Sequence, residues 1–87
     1  MEVAYTEKSK KHILFWKKSG NLVIQRKISK LILAIQENNY TGIGKPEPLK
    51  HELTGLWSRR INQEHRLVYE IDEKNNRLII HSLKGHY

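Results

Sequence analysis

The chain has 87 residues, no cysteine and a formal net charge of +7. That length allows one domain with one core, and the missing thiols exclude disulfides and thiolate zinc sites as supports. The longest apolar run, Leu31 to Ile35, falls far short of the roughly 20 residues that cross a bilayer. The first residues also lack a signal-peptide stretch, so a cytoplasmic protein with no membrane role is expected. The positive charge is uneven. Met1 to Gly44 carries eight basic and three acidic residues, and Lys45 to Tyr87 carries eight and six. Such a balance favours a polyanionic partner, whether nucleic acid, anionic membrane or acidic protein.

Glu2 to Tyr5 alternates and predicts a first strand. Thr6 is the N-cap of a helix that reaches about Lys18. Ile13, Leu14, Phe15 and Trp16 are expected to supply its apolar face, and Lys8, Lys10, Lys11, Lys17 and Lys18 its wet one. Gly20 suits the left-handed position after a helix end, and Asn21 caps the next helix. There Ile24, Ile28, Leu31, Ile32 and Ile35 form one stripe of a period of about 3.6 residues, and Asn38-Asn39 ends it. The two helices form an antiparallel hairpin whose stripe needs a sheet to cover.

Tyr40 to Pro48 reads as a loop. Pro46 and Pro48 fix their own φ near about −65° and push Lys45 and Glu47 toward extended backbone. That would aim Glu47 at little entropic cost. Strands are then predicted over Leu56 to Ile61, His65 to Asp72 and Arg77 to Leu83, with turns at Asn62–Glu64 and Glu73–Asn76. Leu67, Tyr69 and Ile71 fall on one face of the middle strand, and Arg66, Val68 and Glu70 on the other. The fold class is α+β: a small twisted antiparallel sheet, the first strand added beside the meander, with two N-terminal helices packed on one face. Residues 1–87 make a single domain.

Cleavage of RNA by its own 2′-hydroxyl needs a base, an acid and cationic donors for the phosphorane. Glu47 is the candidate base. His86 is the candidate acid, because imidazole titrates near neutral pH. Arg66 is the candidate clamp, since its planar fork can grip two phosphate oxygens. Lys45, Lys50, Arg59 and Arg60 could add phosphate contacts. Arg59 and Arg60 are neighbours on a strand and so point to opposite faces; one of them serves structure or a partner. Each choice has a plainer alternative. Strand arginines solubilise edges, a terminal histidine can sit in a frayed tail, and Trp57 can be core or a partner anchor instead of a base-stacking platform. His51 and His65 read as surface or packing residues, because no two histidines stand at metal-ligand spacing on one helix.

Lys45-Pro46-Glu47-Pro48-Leu49-Lys50-His51, Trp57-Ser58-Arg59-Arg60-Ile61, Glu64-His65-Arg66-Leu67-Val68-Tyr69 and the final His86-Tyr87 together resemble the YoeB/Txe toxins of the RelE superfamily. The resemblance covers the whole chain and is densest from Gly44 to Tyr69. It departs only in the Asp72 to Arg77 hairpin, which is slightly long. The resemblance implies a RelE-like fold and the toxin of a type II toxin–antitoxin pair. Such toxins are ribosome-dependent endoribonucleases that cut messenger RNA in the A site and are blocked by a cognate YefM-like antitoxin. By position it implies Glu47 as general base, Arg66 as phosphate stabiliser and His86 as general acid. Lys50 and Arg60 fall on the implied phosphate-binding surface, and Tyr87 would help position the RNA or stack on a base. A homodimer is implied as well. No cofactor or metal is expected, because cationic side chains can neutralise the phosphate. The helix cations, Lys8, Lys11, Lys17, Lys18, Arg26, Lys27 and Lys30, suit ribosomal RNA.

Two rivals remain open from sequence. One is a ParE-type toxin of the same fold, directed at gyrase and not cleaving RNA. The other is a basic module that binds RNA or an acidic partner without catalysis.

Overall fold

The computed structural model describes residues 1–86. Strand β1 (Glu2–Tyr5) leads into helices α1 (Glu7–Ser19) and α2 (Leu22–Glu37), and the strands β2 (Glu47–Pro48), β3 (Trp57–Arg60), β4 (Arg66–Asp72) and β5 (Arg77–Ser82) follow. Each helix begins where its cap dictates. Thr6 Oγ1 accepts the Ser9 amide at 3.2 Å, and Asn21 Oδ1 accepts the Ile24 amide at 3.1 Å. These caps satisfy amides that the first helical turn leaves without partners. Gly20 takes φ +71° between the helices, so the chain reverses there without a Cβ penalty.

The α2 stripe packs as its period requires. Ile24, Ile28, Leu31 and Ile35 are buried against Leu67, Tyr69, Leu78 and Ile80 of the sheet. Each such side chain removed from water contributes about 1.5–3 kcal/mol before entropy is counted. The α1 face differs from expectation. Trp16 is buried and Ile13 half-buried, but Leu14 and Phe15 are 55% and 46% exposed. Consecutive helical residues turn by about 100°, so a run of adjacent apolar residues cannot all face one sheet.

The five strands lie in the order β1-β5-β4-β3-β2. β3, β4 and β5 form the antiparallel meander, β2 pairs antiparallel with β3, and β1 pairs parallel with β5. The helical hairpin therefore carries the chain from one sheet edge to the other across a single face. The β2 edge was expected to be loop. Its two residues pair with Trp57 and Ser58, and proline is tolerated there because an edge strand need not donate on its outer side.

Arg59 settles the question of the paired arginines. It is fully buried on the helix side. Its Nη2 donates to the Asn38 and Thr41 carbonyls at 2.7 and 2.9 Å, and its Nη1 to the Ile43 carbonyl at 3.1 Å. Its Nε meets the Tyr69 hydroxyl at 3.3 Å, and that hydroxyl donates to the Asn39 carbonyl at 2.7 Å. Burial raises the Tyr69 pKa despite the opposing guanidinium, so the phenol stays a donor. Arg59 is thus a staple for the loop after α2 and is not available to a phosphate.

Candidate active site

Two turns set the site. Asn62 Oδ1 accepts the Glu64 and His65 amides at 2.8 and 2.7 Å, which closes the β3–β4 turn and starts β4 at Arg66. On the other side, the Arg60 amide donates to the Gly44 carbonyl at 2.7 Å. A Cβ on Gly44 would lie 2.9 Å from Leu31 Cδ2 and 3.1 Å from Arg59 Cβ, so only glycine fits this approach. Lys45 follows with φ +51°, not the extended backbone expected of a residue before proline. The tight Gly44–Arg60 contact forces a sharp exit, and Pro46 then restores extended chain for Glu47.

Register brings the chemistry to one face. Glu47 lies opposite Ser58, Ser58 opposite Val68, and Arg60 opposite Arg66. Residues opposite each other in a sheet share a face, as do those two apart on a strand. Glu47, Ser58, Arg60 and Arg66 therefore all project from the side away from the helices. Together with Lys45 and Leu49 they line a pocket of about 130 Å³. It holds one carboxylate and three cations around a small floor. A shallower neighbouring depression shares Lys45 and Arg60 and adds Lys27 of α2 with Asn62 and Gln63.

Arg66 is oriented by the turn beneath it. Its Nη1 donates to the Asn62 carbonyl at 2.9 Å and lies 3.3–3.4 Å from those of His65 and Gln63. The opposite edge of the fork meets no acceptor among the described residues. His86 is exposed and is not among the pocket's lining residues. Its attachment point is fixed nearby, because the Arg66 amide donates to the Gly85 carbonyl at 2.8 Å. Lys50 is exposed ahead of the short turn His51–Leu53 and lies outside the pocket lining. Tyr87 lies outside the described residues.

Ser58 was not singled out from sequence, although its two-residue spacing from Arg60 places it on the same face. Lys27 was grouped with the helix cations, and nothing in its spacing marked it as a neighbour of Lys45. Trp57 packs against the core and lies at a tilt against Tyr40 with centroids 4.7 Å apart, as a structural residue would.

The family model described as the YoeB-like toxin of bacterial type II toxin–antitoxin systems matches residues 5–87. The chain is 47% identical to a Toxin YoeB from Synechocystis over all of this chain and 98% of the relative. Among solved structures it superposes on a YoeB/ParE toxin from Agrobacterium tumefaciens with TM-score 0.95, 37% identity and full coverage of both chains. A YoeB dimer and a YoeB–YefM complex, both from Staphylococcus aureus, match with TM-scores 0.89 and 0.88 at 39% and 40% identity. Each covers the whole of this chain and 98% of its own.

Proposed function

The chain belongs to the YoeB-like toxin family of bacterial type II toxin–antitoxin systems, and from that premise we propose that it is a ribosome-dependent endoribonuclease that cuts messenger RNA in the A site. The observation that carries this reading is the pocket joining Glu47 to Lys45, Arg60 and Arg66 on one open sheet face. A scissile phosphate seated there meets a carboxylate on one side and guanidinium groups on the other.

In this mechanism Glu47 takes the proton from the 2′-hydroxyl, and the alkoxide attacks the adjacent phosphorus. Arg66, steadied by the turn carbonyls, grips the equatorial oxygens as negative charge gathers on them. His86 gives its proton to the departing 5′-oxygen. Arg60, Lys45 and Lys50 hold flanking phosphates, and Tyr87 positions the base. A metal ion is not required, since cationic side chains carry the charge and the substrate supplies its own nucleophile.

A YefM-like antitoxin blocks the toxin in the cytoplasm, and the toxin itself forms a homodimer. Complexes and dimers of that kind among the similar structures support this. Leu22, Val23 and Leu33, exposed on α2, offer apolar surface to a protein partner.

Primer extension on a message, translated and naked, tests the proposal. Codon-positioned cuts that require ribosomes and vanish in Glu47→Gln are expected. A gyrase-directed toxin or a binding module without catalysis would leave the message intact, and cuts on naked RNA would point to a free ribonuclease.

A further inference from the structure

β5 ends at Ser82, yet the backbone of Leu83 and Gly85 beyond it keeps hydrogen-bond partners. The Leu83 side chain is fully buried. The Leu83 amide donates to His12 Nδ1 at 3.0 Å, and the Gly85 amide donates to His65 Nδ1 at 2.9 Å. The carbonyls are taken as well. Trp16 Nε1 donates to the Leu83 oxygen at 2.9 Å, and the Arg66 amide to the Gly85 oxygen at 2.8 Å. Gly85 turns at φ +80°, which favours glycine. This stretch of backbone is held by the side chains of His12, Trp16 and His65 and by the Arg66 amide.

His65 is the more specific of the two acceptors. Accepting at Nδ1 places its ring proton on Nε2, and Nε2 lies 3.4 Å from the Glu64 carboxylate. The ring stands nearly perpendicular to that of Trp16, with centroids 4.9 Å apart. The Gly85 amide therefore sets its tautomer, with the Glu64 carboxylate close to the remaining ring proton. It does not line the pocket.

We propose that His65 is a positioning residue for cleavage: by accepting the Gly85 amide at Nδ1, it sets the point from which His86 reaches the phosphate. The catalytic part of this rests on His86 acting as the general acid. The hydrogen bond itself does not. A displaced acid weakens proton transfer even when every reacting group is present.

Two measurements on the full chain test it. In labelled protein, a nitrogen–nitrogen coupling across the hydrogen bond between Gly85 and His65 Nδ1 is expected, with the proton on Nε2. A His65 ring protonated at Nδ1, with no such coupling, overturns the proposal. This reading is made on the unaltered sequence, so it decides the Gly85–His65 hydrogen bond even where a variant fails to fold.

In single-turnover cleavage on ribosomes, His65→Leu is expected to slow the reaction roughly ten- to hundredfold with ribosome binding unchanged. His65→Asn keeps an acceptor close to the Nδ1 position and is expected to restore most of the rate. Wild-type cleavage by His65→Leu, or an Asn variant as slow as the Leu one, overturns the proposal. Wild-type cleavage by His86→Gln would remove the catalytic role given to His65, while a measured coupling would leave the Gly85–His65 hydrogen bond standing.

Discussion

The Arg66 amide donates to the Gly85 carbonyl at 2.8 Å. This single bond joins the first residue of β4 to the residue that precedes His86. The proposed clamp and the proposed acid are thus anchored to the same backbone unit.

Gly85→Ala tests how much the tail geometry matters. A Cβ there meets nothing within 4 Å, but the backbone holds φ +80°. The substitution should cost roughly 1–2 kcal/mol if the conformation is kept. We expect the strain to be relieved by a shift of His86, so cleavage should fall more than the thermal midpoint suggests. Thermal melts and single-turnover rates on the same preparations check this.

Glu47→Gln keeps the shape of the exposed edge residue and removes its basicity. Cleavage should drop by about 10²–10⁴-fold. Ribosome affinity should hold or rise slightly, because one anion leaves a basic pocket. Binding measured by co-sedimentation, beside cleavage, separates these effects.

Arg59→Lys should unfold the loop after α2 without touching the pocket directly. One ammonium cannot reach the Asn38, Thr41 and Ile43 carbonyls together, since Nη2 serves the first two and Nη1 the third. A loss of about 3 kcal/mol in stability is expected from denaturant unfolding. Faster amide exchange over residues 38–44 should accompany it.

Much of the fold was legible. The α2 stripe, both N-caps and the alternation in β4 all follow from local rules that packing then reinforced. The pocket was legible in part. Glu47, Arg60 and Arg66 share a face by strand parity, but parity alone does not reveal which strands are neighbours. Arg59 and Arg60 read alike in sequence, and only their opposite faces separate a buried staple from a pocket cation. The roles of His12 and His65 were hidden because their partners are backbone amides some 71 and 20 residues away. Lys45 broke the pre-proline rule because a tertiary contact at Gly44 overrode it.

His12 gives a pH dependence. Burial, with Lys8 and Lys84 adding to it, lowers its pKa below 6.5. The unfolded chain therefore takes up this proton at a higher pH than the folded one. The stability it provides is complete above about pH 6.5 and declines as pH falls from there toward the folded value. Thermal midpoints measured from about pH 7.5 down to about pH 5 should fall, and His12→Asn should flatten that part of the curve.

The central claim is that the substrate's own 2′-hydroxyl is the nucleophile, activated within a pocket of one carboxylate and several cations. A message carrying a single 2′-deoxynucleotide at the cut codon tests it most directly on translating ribosomes. The unsubstituted message should be cut to a 2′,3′-cyclic phosphate and a 5′-hydroxyl, and the substituted one should survive intact. Cleavage of the substituted message at an undiminished rate would contradict the account.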